Sequence, residues 1–188
     1  MVDAGAGIFN RSDALPAEAP RSAVAPRMSA AEYVRFAVRH ACAPAQSAAW
    51  IDSWTQHVDG DHAFILMGGD NLNLALPIEI VRSGPFRVAR FLSGSHANGN
   101  FPPFTGSAAG LSATTIAAAV TAVRPDIDLL HLERLAPAQD GVPSPLLPLA
   151  AQESPNVALA VSLHGGFDAL LARTSGKRKR KKHRSQTR

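Results

Sequence analysis

The chain has 188 residues, 46% apolar and 18% charged, a composition that can build a core and is too apolar for a wholly disordered protein. Its single cysteine, Cys42, excludes a disulfide framework and a cysteine-rich zinc site. The net charge of +4 is unevenly placed: residues 167–188 hold nine of the nineteen Lys and Arg and one acid, Asp168, which leaves ten basic against fourteen acidic residues elsewhere.

Residues 1–28 are rich in Ala and Pro, with Pro16, Pro20 and Pro26, and read as a disordered leader. They lack the continuous apolar core of a secretory signal. No apolar run approaches the roughly 18 residues of a membrane helix, so no membrane span is expected and the expected location is the cytoplasm. Ser29 and Glu32 have capping-box spacing. Val34, Ala37, Val38 and Ala41 follow at helical intervals, and Pro44 is the expected stop. Ser47 is placed to cap a second helix, with Trp50, Trp54 and Val58 along one face and the two tryptophans expected in the core.

The period then changes. Residues 63–67 form a short apolar run, predicted as a buried strand, and 68–71 (GGDN) carry hairpin-turn chemistry. Residues 72–81 alternate, placing Leu72, Leu74, Leu76, Ile78 and Ile80 on one face. Pro77 interrupts this strand and predicts an edge position or a bulge. Ser83, Gly84 and Pro85 turn the chain into a third strand over 86–92. A long Gly-, Asn- and Pro-rich loop spans 93–110, a segment type that more often serves function than connection. A helix over 112–123 turns Ile116, Ala119, Val120 and Val123 inward. A strand over 127–132, irregular chain over 136–148, a short helix near 146–152, a strand over 157–161 and a helix from about Phe167 complete the pattern. The expected fold class is α/β, a mixed sheet with flanking helices, as one domain over 29–173 followed by a basic tail over 174–188.

The chemistry is sparse. His57 and His62 lie five apart and HExxH is missing, so no metal site is expected. The serine elbow GxSxG, the Walker loop and GxGxxG are missing too. The loop 94–100 gathers an imidazole and two amides, His96, Asn98 and Asn100, groups suited to orienting a polar ligand. The same residues also suit plain turn geometry. The run Lys177, Arg178, Lys179, Arg180, Lys181, Lys182 and Arg184 resembles a phosphate-seeking patch. It has no interleaved aromatics for base stacking, so polyanion binding there is expected to be weak, unspecific and salt-sensitive.

Four landmarks occur in order: Gln46-Ser47 ahead of Trp50 and Trp54, a meander ending RFLSGSHANGN, IDLLHLERL, and FDALLARTSGKRKRKKHR. Together they resemble the first half of a GNAT-superfamily acyltransferase, of the CelD-type cellulose-biosynthesis group related to FemAB-like proteins, over about residues 30–188. The resemblance implies a GNAT-like fold and acyl transfer from acyl-CoA (acetyl-CoA) to an amine or hydroxyl, serving cellulose or exopolysaccharide biosynthesis. It also implies a second, C-terminal GNAT-like domain beyond the basic helix. On that basis the chain is expected to be truncated and catalytically incomplete. The superfamily's pyrophosphate loop, R/Q-x-x-G-x-G/A, does not occur in the sequence. No cofactor is therefore expected on this chain alone, and no catalytic residue is assigned. The alternative is a small non-enzymatic domain whose basic tail binds nucleic acid or an anionic membrane.

Overall fold

A computed structural model describes residues 27–69, 72–150, 152–153 and 164–174. The chain divides into two units, Met1–Ala151 and Gln152–Arg188. The first unit begins with β1 (Arg27–Met28), then α1 (Ala30–Ala37) and α2 (Ala48–His57). The meander β2 (His62–Gly69), β3 (Leu72–Ser83) and β4 (Phe86–Phe91) follows. Beyond it lie β5 (Phe104–Gly106), α3 (Ala113–Val123), β6 (Leu129–His131) and a small hairpin, β7 (Ala138–Gln139) and β8 (Val142–Pro143). The main sheet runs β1-β2-β3-β4-β6, with β5 also paired to β3. Every pair in it is antiparallel except β4–β6, so the protein is α/β with a mixed sheet.

Helices cover both sheet faces. Leu74, Leu76 and Ile78 are fully buried beside Ala63, Ile65, Ala89 and Phe91, and Ile116 and Val120 of α3 pack on them. Each of the Leu, Ile, Val and Phe side chains among them contributes about 1.5–3 kcal/mol when fully buried. On the other face Phe64, Ala75 and Leu92 meet Tyr33 and Ala37 of α1 and Ile51 of α2. The helix starts are those the sequence marks. Ser29 and Glu32 form the capping box of α1, Ser47 caps α2, and Ser112 caps α3 with Thr115.

Several expectations need correction. Helix α1 ends at Ala37, well short of Pro44, and Val38 is 72% exposed. Tyr33 fills the core position instead, because its hydroxyl finds a buried acceptor in the Gln46 carbonyl at 2.9 Å. In α2 the buried residue is Ile51; Trp50 and Val58 are 38% and 39% exposed, while Trp54 packs at the margin of that core. Pro77 lies in a central strand whose register with β2 is unbroken. It is tolerated because β3 changes neighbours there: β4 pairs with 78–83 and β5 with 72–74. The missing N–H faces the end of β4, and the Pro77 carbonyl still accepts from Leu92 N–H at 3.0 Å. The stretch 136–148 is less irregular than expected, since Asp140 and Gly141, both at positive φ, turn the β7–β8 hairpin. Strand β1 starts two residues before the expected domain boundary.

In the second unit α4 spans Gly166–Thr174 behind Gly165 and Gly166, both at positive φ, with Arg173 donating to the His164 carbonyl at 2.9 Å. The predicted strand over 157–161, residues 1–26 of the leader and the basic run over 177–184 lie outside the described residues.

Candidate functional site

Strands β4 and β6 form the parallel pair, and their carboxyl ends are where open α/β sheets place ligands. Their ladder ends at Arg90 and His131, and a parallel bridge between Asn100 and Leu135 rejoins the two chains. Nine residues (91–99) span this gap on one side and three (132–134) on the other, so the longer segment must loop outward. That excursion contains His96 and Asn98 of the predicted site, and Asn100 closes it.

Asn100 anchors it from below. It is 2% exposed, and its backbone N–H and carbonyl bond Arg134 O (2.7 Å) and Ala136 N (2.9 Å). Its side-chain oxygen accepts from Gln46 Nε2 (2.7 Å) and its amide donates to Glu133 O (2.8 Å). Gln46, fully buried, also accepts from Phe101 N–H through Oε1 (3.1 Å). Burial pushes the Tyr33 phenol well above its ordinary pKa, which keeps it a neutral donor to Gln46. One network thus staples the turn 44–46, the loop 93–101 and the segment after β6, with its polar groups paired as burial demands.

Two strained residues brace the loop. Ser93, 1% exposed, sits in the left-handed region (φ 86°, ψ −8°), where its hydroxyl accepts from Trp50 Nε1 at 2.6 Å. Arg134 (φ 56°) donates to the carbonyls of Ala97 (2.9 Å) and Ser95 (3.3 Å). Non-glycine residues at such φ cost on the order of 1 kcal/mol each, a strain that concentrates at functional sites. His96 is exposed, with its ring centroid 5.7 Å from Trp54, and Trp54 stacks on Trp50 at 6.1 Å. Asn98 is exposed. The three predicted residues therefore do not share a surface: His96 and Asn98 face outward, and Asn100 is an internal strut.

A second group lies against this loop. Cross-strand register aligns His62, Glu79, Arg90 and His131 in one row over β2, β3, β4 and β6. Arg90 Nε donates to Glu79 Oε1 at 2.7 Å. Gly94 (φ 42°) passes so close that a Cβ there would stand 2.7 Å from both Arg90 Nη2 and Glu79 Oε1. Sequence reading missed this row, although two turns encode it. Counting outward from Gly69–Leu72 and from Ser83–Phe86 pairs Glu79 with His62 and with Arg90.

Other polar clusters serve the framework. Arg124 holds Asp61 and Asp126 at 2.6–2.8 Å, and Arg87 reaches both at 2.7–2.8 Å. The Arg124 hydrogen bonds hold both carboxyls below their usual range. Burial, with Asp140 in support, raises the Cys42 thiol and makes it a poor nucleophile. Among the described residues no group of three His, Cys, Asp or Glu is placed to hold a metal ion, and no helix is long and apolar enough to cross a membrane. A shallow depression of about 410 Å³ lies between 27–30 and 62–64 and gathers no reactive cluster. The acyl-CoA that the resemblance implies needs free amides at a helix start for its pyrophosphate. At the α3 start the capping box engages the Ser112 and Thr115 amides and leaves those of Ala113 and Thr114, but R/Q-x-x-G-x-G/A does not lead into this helix. Compared with protein families, curated proteins and solved structures, the chain has no match in any of the three.

Proposed function

We propose that this chain is the acceptor-binding part of a GNAT-type acyltransferase, which moves an acyl group from acyl-CoA to an amine or hydroxyl. The observation that carries the reading is the parting of β4 and β6 beyond Arg90 and His131. Acyl transfer of this type uses a split in the sheet, and here the split lies beside an exposed imidazole, His96. The GNAT-like ordering of sequence landmarks supports the same reading. In it the acyl-CoA phosphates are held by a second GNAT-like domain, since R/Q-x-x-G-x-G/A does not occur in these 188 residues. Positioning of the thioester is worth about 7–11 kcal/mol of barrier, so this part alone is expected to be inactive.

Calorimetric titration with acetyl-CoA near physiological salt, on the chain and on a version ending at residue 173, tests the division of labour. The expected result is no saturable isotherm, beyond weak salt-sensitive heat from the basic run. A micromolar one-to-one isotherm that survives removal of 174–188 overturns it. With a phosphate-loop-bearing GNAT domain added, release of CoA thiol should depend on this chain, and release at the same rate without it refutes the reading. The gathering of nine basic residues in 167–188 favours a second reading, in which the tail binds a polyanion. Retention on heparin that is lost on ending the chain at residue 173 tests that one.

A further inference from the structure

We propose that the surface joining Trp50 and Trp54 to Arg90 binds a ring-bearing anion. The ring stacks on the exposed indole, and a carboxylate or phosphate on the ring is taken by the Arg90 guanidinium. This rests on the reading of the surface as an acceptor site, and it names the acceptor's class.

Three observations converge on one dipeptide. Trp50 remains 38% exposed, yet it is held rigidly, by its bond to Ser93 Oγ at 2.6 Å and by stacking on Trp54. An aromatic ring fixed in this way loses little entropy when a ligand ring stacks on it. Arg90 is likewise fixed by one nitrogen only. Nε bonds Glu79, whose side chain is 16% exposed, while the two terminal amino groups have no hydrogen-bond partner among the described residues. A guanidinium held this way presents a planar fork to an oxyanion. Ser93 carries the indole bond, and the next residue, Gly94, lies so close to Arg90 and Glu79 that a Cβ there would push the ends of both side chains aside. His131, exposed and paired in register with Arg90, adds a further donor at the edge.

The net charge of the Glu79–Arg90 pair is zero, so the site draws an anion by directed hydrogen bonds rather than by field. A bare phosphate then gains too little, and the stacked ring supplies the remainder. A sugar acid and a nucleotide both have this chemistry.

Trp50 and Trp54 are the chain's only tryptophans, so tryptophan emission, excited beyond the tyrosine band, reads this surface. The whole chain is titrated near physiological salt with glucuronic acid and with adenosine monophosphate. Their uncharged counterparts, glucose and adenosine, and inorganic phosphate serve as controls. A saturable change is expected with at least one ring anion, about tenfold weaker with its uncharged counterpart, and none with phosphate. Which ring anion binds decides between sugar acid and nucleotide. Arg90→Gln and Arg90→Lys should each reduce binding to the level of the uncharged ring, since lysine keeps the charge but not the fork. Equal binding of charged and uncharged rings, the same change with phosphate alone, no change with either ring anion, or unaltered binding in both variants overturns the proposal. Ring-anion binding by the chain, with CoA release that stays independent of the chain when a phosphate-loop-bearing GNAT domain is added, leaves this inference standing and removes the reading above; chain-dependent CoA release without ring-anion binding does the reverse.

Discussion

Replacing Asn100 with alanine should destabilise the first unit by about 2–4 kcal/mol, because it leaves two partners without a bond. Gln46 Nε2 is bonded at 2.7 Å within a fully buried side chain, so its loss falls in the upper part of the roughly 1–3 kcal/mol range for an unsatisfied buried group. The Glu133 carbonyl, bonded at 2.8 Å, belongs to a half-buried segment where water can replace the lost bond, so it adds at most about 1 kcal/mol. The backbone bonds of residue 100 to Arg134 and Ala136 survive the change, so the fold should persist. The corresponding fall in Tm is roughly 4–16 °C for a chain of this size. His96→Ala, at an exposed position of the same loop, should stay within about 0.5 kcal/mol. Urea unfolding followed by tryptophan fluorescence and circular dichroism measures both. A double-mutant cycle with Gln46→Ala should return a coupling of about 1–2 kcal/mol. A loss below about 0.5 kcal/mol for Asn100→Ala, or one equal to that of His96→Ala, would refute the strut.

Gly94→Ala should cost about 1–3 kcal/mol by denaturant unfolding, since φ of 42° strains any side chain and the new Cβ meets the Arg90–Glu79 pair at 2.7 Å. Asp61 titrates below its usual range in the folded state, chiefly through its hydrogen bonds to Arg124, so its contribution to stability is full above the unfolded carboxylate value of about 3.9 and is lost progressively as pH falls from there through its lower folded value. Asp61→Asn should therefore flatten the acid limb of the stability curve below about pH 4. The difference should shrink in roughly 1 M salt because the carboxylate is 45% exposed; an unchanged acid limb counts against it. In a peptide of residues 167–188, salt should raise helicity modestly by screening its basic run, and circular dichroism showing a fall would contradict this.

The sheet was legible because alternation over 72–81 sets Leu74, Leu76 and Ile78 on one face, and that face is buried under α3; burial of the opposite face, at Ala75 and Pro77, comes from α1 and α2 and is not in the alternation. The helix starts were legible because Ser29, Ser47 and Ser112 act locally, within three residues. What failed depends on distant partners. The stripe Trp50, Trp54 and Val58 pointed to the margin of the core because Trp50 needs an acceptor for its indole N–H, and Ser93, forty-three residues away, supplies it. Asn100 reads as a surface amide until Gln46, fifty-four residues earlier, is placed beneath it. The row from His62 to His131 has no local pattern and emerges only from strand register.

Strand β6 has a kinetic consequence. In the meander Gly69 pairs with Leu72 and Ser83 with Phe86, partners close in sequence, whereas Val88 pairs with Leu129 across forty-one positions. Closing that longer loop costs more chain entropy before any contact rewards it, so the meander can form first and β6 docks afterwards. With three residues and, among the described residues, no neighbour beyond it, β6 should also open first. Amide hydrogens of β3 should exchange slowest and those of β6 near the fastest of the sheet. A ligand held beside Arg90 and His131 would then slow exchange in β6 while leaving the meander as it was.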